Sequence, residues 1–543
     1  MWPLHPLRAR FCAVCRSVAL VAIGGSSLLV PRHGEGQARC VITAHALEES
    51  AARWGRRDSA RFAIPRESRD GVACHPRQAP EDRAPGRTGA LHLQWPSVQL
   101  VAAEGIPESR SDGALWAGRG LSTLVRMGAA FQAGPLHLAL APELWGSANR
   151  PYDLLRSTAL MDDSTRWAPR SPLASPFYYG PHTLDLPSRL GVLPLRVVAP
   201  GQSAAWLSGR GVDAGVSTSN SWWGPGVRDG LLLGPGASGI PRVFLRTTRP
   251  LRTRTGSWRG EWFVGTLTES RWFDQETAND RRSIGALRIE WSPNGTPGLI
   301  LGAARAVQSV QQGALPFSHF TDVWRSTTAI GADQMAALFA SLTTPGMRTY
   351  AEVVTARPPS ALEAFLAGPA DDLGYQLGVE RRLVRAGTVW LLHAEVMNTD
   401  PGISRRDRPA RDFYAGASVP HGWTQRGQLL GAGIGPGGSS QWLAVDRMGK
   451  RISVGAYAER VRWNNEVLPR LYLPTIFRHD VTVRGGVRAS VRQSRVGVPY
   501  LLSLDASWGT RLNYLFQNTT WIRDFRTVDV RVPQLRLTVT PVR

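Results

Sequence analysis

Lysine is almost absent from this chain of 543 residues. Lys450 is the only lysine among 64 basic residues, so arginine carries nearly all of a formal net charge of +22. The positive excess is spread thinly and forms no block of like charges. Nucleic-acid-binding proteins usually concentrate such charge on one stripe or arm. We therefore expect no nucleic-acid partner, and the diffuse charge favours an acidic polymer or an anionic lipid surface.

Cysteine is confined to the first 74 residues, at Cys12, Cys15, Cys40 and Cys74. Cys12 and Cys15 form a CxxC, but no second pair and no nearby histidine set completes a zinc site. We expect neither a metal nor another cofactor. The long cysteine-free remainder is typical of a protein that crosses an oxidising compartment before it folds.

Long apolar runs are also lacking, since no stretch beyond residue 90 is long enough to span a bilayer as a helix. An apolar segment at residues 18–30 follows several arginines, and the sequence GQA at residues 36–38 offers the small residues that a signal peptidase reads. We therefore expect a signal peptide over residues 1–38. Residues 39–90 are polar, arginine-rich and without periodicity, which predicts a disordered linker.

The remaining chain, residues 91–543, instead shows period-two alternation. Leu287, Ile289 and Trp291 alternate with Arg288 and Glu290, and residues around 452–459, 501–508 and 534–540 repeat the pattern. Alternation alone fits a soluble β-protein as well as a membrane barrel. Full charges on the polar face and tryptophans at the ends of the aliphatic face favour the membrane barrel.

The length of residues 91–543 predicts the strand number. At about 25 residues for each strand with its share of turns and loops, the segment accommodates about 18 strands. The predicted fold is all-β: a single large transmembrane antiparallel β-barrel of about 18 strands, with short helices in loops or as a plug. A barrel of that width needs such a plug if it is not a pore.

The stretch WWGPG at residues 222–226, followed by an apolar run and a turn that ends in Pro241, resembles the capsule assembly Wzi family. Further motifs that resemble the family follow in order, LALAPELWGSANRPYD at residues 138–153, ADQMAALFASLTTPGMRTYAEVV at 332–354 and HGWTQRGQLLGAGIGPGGSSQWLAVDR at 421–447. The resemblance implies a closed barrel in the outer membrane of a diderm bacterium. It also implies a role in holding or organising capsular or exported polysaccharide by binding.

Six residues are predicted to contact this polysaccharide. They are Trp222, Trp223, Arg228, His421, Gln425 and Arg426. Indole faces can stack on sugar rings, and arginine can grip the carboxylates of an acidic glycan. Turn residues predicted to have a structural role are Gly224, Pro225, Gly226, Pro241, Gly435, Pro436 and Gly437. The alternative for the tryptophans is packing in the lumen or an aromatic girdle, and for the residues around His421 it is a hydrogen-bond network in the lumen.

Catalysis is not expected. Glu352, Asp322 and Asp333 are the carboxylates nearest to aromatic residues, but no serine elbow, HExxH or paired metal-ligand spacing accompanies them. The predicted partners are acidic capsular or extracellular polysaccharide, outer-membrane lipid and the barrel-assembly machinery. Two alternatives stay open: a porin or polysaccharide exporter, and a secreted soluble β-protein that binds or cleaves glycans.

Overall fold

The structure is a computed structural model in which part of the chain is described. The described residues are 89, 91–108, 112–154, 173, 175, 177, 183–274, 276–313, 316–326, 330–356, 373–385, 388–400, 413–449, 451–470, 479–495, 498–517 and 528–541. The predicted signal peptide, the four cysteines and the predicted linker lie outside these residues, except for Gly89.

The described residues form a series of β-strands with short 3₁₀ helices in the connections. The strands are β1 (Leu91–Ala103), β2 (Gly120–Ala133), β3 (Leu136–Leu140), β4 (Glu143–Ser147), β5 (Leu195–Ala199), β6 (Ala204–Gly209), β7 (Val212–Ser217), β8 (Arg242–Thr247), β9 (Leu251–Arg252), β10 (Gly256–Thr268), β11 (Arg281–Pro293), β12 (Leu299–Val310), β13 (Asp333–Thr344), β14 (Met347–Thr355), β15 (Leu373–Arg385), β16 (Thr388–Asn398), β17 (Thr424–Gln425), β18 (Gln428–Leu429), β19 (Ser439–Met448), β20 (Ile452–Trp463), β21 (Asp480–Arg495), β22 (Val498–Leu512), β23 (Val530–Arg531) and β24 (Gln534–Pro541). The 3₁₀ helices are Pro316–His319, Asp322–Trp324, Asn465–Arg470 and Tyr514–Phe516.

The sheet closes on itself because β1 pairs antiparallel with both β2 and β24. Several wall strands are interrupted: β3 and β4 both pair with β2, and β8 and β9 both pair with β10. With each interrupted strand counted once, the barrel has 18 strands. The predicted fold class is confirmed. Among the described residues, no helix has the length and apolar character needed to cross a membrane.

The two faces of the wall follow the alternation in the sequence. On β11, Ile289 is exposed on the outside, whereas Arg288 faces the lumen and forms ion pairs with Glu261 and Glu290 at 2.9 Å and 3.5 Å. Adjacent residues of a strand point to opposite faces, so one sequence period supplies both an aliphatic exterior and a charged interior. The predicted orientation of these residues is confirmed.

The two ends of the barrel differ in the length of their connections. Tight turns such as Gly134-Pro135 and Arg210-Gly211 lie at one end, together with the start of β1 and the end of β24. Long connections such as residues 218–241 and 399–438 lie at the other, here called the long-loop end. Bacterial outer-membrane barrels place their longer loops outside the cell.

Candidate functional site

Two long connections fold back into the lumen. The first plug segment, residues 218–241, joins β7 to β8, and the second, residues 413–438, precedes β19. Trp423 of the second donates its indole Nε1–H to the main-chain oxygen of Leu232 in the first at 2.7 Å. Tyr414 donates its hydroxyl to the oxygen of Leu231 at 2.8 Å. The two segments therefore form one unit inside the barrel.

The barrel wall leaves room for this unit by presenting small side chains to it. Ala304, Ala306 and Ala337 face inward on β12 and β13 and are buried in the same apolar cluster as the plug leucines. Phe263 and Ile284 contribute larger apolar surface on β10 and β11. Such a core is stabilised by the hydrophobic effect and by close packing, as in a soluble protein.

The two tryptophans that the sequence singles out lie inside the first plug segment. Trp223 is 1% exposed, and its ring packs edge-to-face on Phe263 at a centroid distance of 5.4 Å. The guanidinium of Arg288 lies over the Trp223 ring at 5.5 Å. Trp222 is also buried. Polysaccharide contact by these rings stays a prediction, and it would require the plug to move.

The turn after the tryptophans has a geometric reason for its glycine. Gly224 has a φ of +100°, which favours glycine, and a Cβ at this position would lie 2.3 Å from Oε2 of Glu352 on β14. The carbonyl of the next residue, Pro225, accepts a hydrogen bond of 2.7 Å from Arg348, also on β14. The predicted turn residues thus bring the plug into direct contact with the lumen wall.

Arg228 and its neighbour are tied to the wall by buried carboxylates. The main-chain N–H of Val227 donates to Glu395 on β16 at 2.9 Å, and that of Arg228 donates to the same carboxylate at 3.3 Å. The Arg228 guanidinium pairs with Glu459 on β20 at 3.3 Å and lies over the Trp442 ring at 5.0 Å. Arg228 is therefore an anchor between plug and wall.

His421 and Gln425 anchor the second plug segment. The Nε2 of His421 is hydrogen-bonded to Glu269 at 2.5 Å, and the Oε1 of Gln425 accepts a bond of 2.7 Å from the N–H of Thr268. Burial lowers the pKa of His421 well below its usual value. Burial, and then the neighbouring Asp274, raise the pKa of Glu269 to about 8. The pair is consequently a neutral hydrogen bond at neutral pH.

Further anchors are residues that the sequence did not single out for this role. Asp333 on β13 accepts bonds of 2.8 to 3.1 Å from the main-chain N–H groups of residues 417–419. Arg282 on β11 donates to the carbonyls of Gly422 and Thr424 at 3.0 Å and 2.9 Å. Both wall residues follow the ordinary alternation of their strands, so no local signal distinguishes them from other lumen residues.

Arg426 differs from the other five predicted contact residues because its side chain is exposed. It lies at the tip of the hairpin formed by β17 and β18, with a φ of +51° followed by +77° at Gly427. Its N–H donates to the carbonyl of Thr268 at 2.9 Å, which places the hairpin tip at the long-loop end. At the opposite end of the barrel, the turn Arg210-Gly211 also has positive φ angles, +51° and +87°.

The turn of the second plug segment contains three more of the predicted structural residues. Gly435 and Gly437 have φ of +74° and +57° and flank Pro436. A Cβ on Gly437 would lie 2.6 Å from the main-chain nitrogen of Glu466, so only glycine allows this approach. Pro241 ends the first plug segment immediately before β8.

The carboxylates considered for catalysis do not form a pair. Asp322 bonds Ser309 and His319 on the outer face of β12, whereas Glu352 faces the lumen. Within the described ranges, no group of three or more His, Cys, Asp or Glu side chains could hold a metal ion. The arrangement of charged groups in the lumen instead joins the two plug segments to the wall.

The sequence from residue 204 to residue 468 matches the family model described as Capsule assembly protein Wzi. Over these residues, just under half of the chain, the sequence is similar to the Wzi family. The Wzi match contains both plug segments, together with Arg426 and the wall anchors Glu395, Glu459 and Asp333. The resemblance predicted from the sequence motifs is confirmed.

Solved structures also match this chain, and the first of them supports the same fold. Wzi of Escherichia coli, described as an outer membrane protein involved in group 1 capsule assembly and a carbohydrate-binding β-barrel, is similar with a TM-score of 0.52 and 13% identity over 82% of this chain and 84% of that one. A BenF-like porin of Pseudomonas fluorescens Pf-5 has a TM-score of 0.37 and 10% identity, covering 84% of this chain and 100% of the porin. OccAB2 of Acinetobacter baumannii has a TM-score of 0.40 and 9% identity, with coverage of 83% and 97%. No curated protein sequence matches this chain.

Proposed function

We propose that this barrel spans the outer membrane of a diderm bacterium and binds capsular or exported polysaccharide at the cell surface without changing it chemically. The observation that carries the proposal is the Wzi-family match, because the matched residues include both plug segments and the hairpin that exposes Arg426. Wzi of Escherichia coli is described as a carbohydrate-binding barrel involved in capsule assembly. The exposed aliphatic exterior suits outer-membrane lipid as a partner.

The filled lumen favours binding over transport. A porin or exporter needs a water-filled path, and large barrels without one are occluded by loops or helices. Here Trp223, Leu231, Leu232 and Trp423 are buried between the wall strands. The porin alternative predicts ion conductance through the lumen, whereas the plug fills that path.

We propose that the polysaccharide site lies at the long-loop end, where Arg426 is the exposed member of the predicted set. Its guanidinium can donate two parallel hydrogen bonds to a carboxylate, which makes an acidic glycan the proposed ligand. Each contact along a polymer is weak, and many repeats together give useful affinity. Trp222 and Trp223 hold the plug in this structure, and their predicted contact with sugar requires the plug to move.

The proposal also includes a signal peptide, a linker and insertion by the barrel-assembly machinery. Residues 1–38 act as a signal peptide, and residues 39–90 form a linker ahead of the barrel at 91–543. The barrel-assembly machinery inserts the strands. A soluble secreted protein is the contrary case, and it predicts recovery without detergent and no heat-dependent mobility shift on a denaturing gel.

The binding proposal is tested by comparing two arginines in matched turns. Arg426→Gln removes the charge at the long-loop end, and Arg210→Gln removes it from a turn with similar positive φ angles at the opposite end. Titration of each detergent-solubilised variant with a uronic-acid-rich polysaccharide should show an affinity loss of about tenfold for Arg426→Gln. Arg210→Gln should leave the affinity unchanged. Equal affinities in both variants and the wild type would contradict the placement of the site.

A further inference from the structure

Residues 316–326, here called the outer-wall segment, lie against the outside of the barrel. Their two 3₁₀ turns contact β10, β11 and β12. A Cβ on Gly285, which faces outward on β11, would lie 3.7 Å from the main chain of His319 and of Val323. Val264, the cross-strand neighbour of Gly285, is fully buried although it also faces outward. The segment therefore covers a part of the wall that would otherwise be exposed.

Buried polar contacts fix this segment to the wall. The Nδ1 of His319 is 2.7 Å from Oδ2 of Asp322 and 3.2 Å from the hydroxyl of Ser309 on β12. The Ser309 hydroxyl lies 2.9 Å from that of Ser283 on β11. Buried polar groups need such partners, and the segment shields them from the surroundings of the barrel. The surface that the segment presents outward is consequently held in place.

That surface carries an aromatic ring beside two guanidinium groups. Trp324 is 58% exposed, and one side of its ring contacts Trp262 on β10 at a centroid distance of 5.8 Å. The Arg325 side chain is 53% exposed, with Nη1 3.5 Å from Asp322. Arg305 on β12 donates its Nη2–H to the carbonyl of Arg325 at 3.0 Å. We call Trp324, Arg325 and Arg305 the outer-wall patch.

The patch lies at a boundary on the exterior of the barrel. Nearer the short-turn end, the outward residues are aliphatic and exposed, as at Leu338 on β13 and Leu301 on β12. Nearer the long-loop end polar side chains also face outward, at Gln334 and at Ser309, which the segment covers. Tryptophan prefers the interface between hydrocarbon and headgroups. An arginine on the lipid face is destabilising near the membrane centre and tolerated near the interface, where it can reach anionic groups.

We propose that the outer-wall patch binds the phosphate-bearing headgroup of a lipid in the outer leaflet. Guanidinium groups recognise phosphate oxygens through paired hydrogen bonds, and two of them face outward here with Asp322 as the neighbouring carboxylate. Trp324 supplies the adjoining apolar contact. The inference rests on the proposal that the barrel spans the outer membrane, and it is independent of the polysaccharide site at Arg426.

The test is native mass spectrometry of the purified full chain with a diphosphorylated glycolipid and with the same glycolipid after removal of its phosphates. The variants are R325Q, which changes an exposed side chain, and the double variant R305Q/R325Q. Arg305 also donates from Nε to Gln334 on β13 at 3.0 Å. R460Q is the matched control, because Arg460 lies on the exterior and likewise donates to a glutamine, Gln441, on the neighbouring strand at 3.0 Å. A heat-dependent mobility shift checks that each variant forms a closed barrel.

We expect R325Q to bind the phosphorylated lipid about tenfold more weakly, the double variant more weakly still, and R460Q like the wild type. The phosphate-free lipid should bind all four proteins equally weakly. Equal binding of both lipids, an equal loss in R460Q, or displacement of the lipid by millimolar inorganic phosphate would overturn the inference. Lipid binding by a wild type that binds no polysaccharide would contradict the proposed function alone.

Discussion

Replacing Glu395 with alanine should release the first plug segment from the lumen wall. The Glu395 carboxylate accepts the main-chain N–H groups of Val227 and Arg228, and it also accepts the Tyr350 hydroxyl. The Tyr350 hydroxyl keeps a second partner, Nε2 of His393, at 3.0 Å. The two main-chain donors lose this acceptor, and a donor left unsatisfied in a buried site costs about 1 to 3 kcal/mol.

The expected loss is therefore about 2 to 6 kcal/mol of the free energy that holds the plug in the lumen. A loss of about 4 kcal/mol corresponds to roughly a thousandfold increase in the open population. The local readout is amide hydrogen exchange at Val227 and Arg228, which should become faster in the variant. The functional readout is ion conductance in a planar bilayer, which should rise as the plug leaves the lumen.

The matched control is Asp446→Ala. Asp446 is as buried as Glu395, but its hydrogen bonds at 2.8 Å and 2.5 Å go to Arg488 within the wall. This variant should weaken the wall without faster exchange at Val227. Unchanged exchange at Val227 and Arg228 in Glu395→Ala would refute the reasoning, whatever happens to the conductance.

Three more changes probe the plug. Gly224→Ala places a Cβ 2.3 Å from the Glu352 carboxylate at a φ of +100°, so the first plug segment should loosen, with faster amide exchange than in the wild type. Burial raises the pKa of Asp229 to about 7, so its contribution to plug stability should be full near pH 4 and be lost as the pH rises to about 7. Asp229→Asn should reduce this pH dependence in thermal melts, and the part that remains comes from groups such as Glu269, whose pKa is also raised. Tyr414→Phe removes a hydroxyl that joins both plug segments and should lower the melting temperature, whereas Tyr500→Phe, at an exposed hydroxyl, should not; equal melting temperatures would contradict the role of Tyr414.

The wall of the barrel was predictable from the sequence because its signal is local. The outward Ile289 and inward Arg288 are adjacent residues, and the alternation that separates them repeats along most strands. The number of strands followed from chain length. The difference between the aliphatic exterior and the charged interior is thus contained in short stretches of sequence.

The plug was only partly predictable because its contacts join distant residues. The stretch WWGPG indicated a rigid turn, but Val227 and its acceptor Glu395 are 168 residues apart. Adjacent residues of a β-strand point to opposite faces, so within a strand at most one of Trp222 and Trp223 would face the lumen. The structure places both inside it, because the turn at Gly224, with its φ of +100°, lies outside the barrel strands.

The outer-wall segment was also not predictable from the sequence. Asp322 attracted attention in the sequence as a carboxylate near a tryptophan. Its partners, His319 and Ser309, come from the neighbouring 3₁₀ turn and from β12, and they identify it as part of the attachment to the wall. No periodic pattern marks residues 316–326, because 3₁₀ turns are too short to show one.

Binding of an acidic polysaccharide by the purified full chain tests the central claim most directly. Calorimetric titration should compare a uronic-acid-rich polysaccharide with the same polymer after its carboxyl groups have been reduced to alcohols. The account predicts saturable binding of the acidic polymer and affinity lower by about tenfold or more for the reduced one. Absence of binding to either polymer, by a protein that shows the heat-dependent mobility shift of a closed barrel, would contradict it.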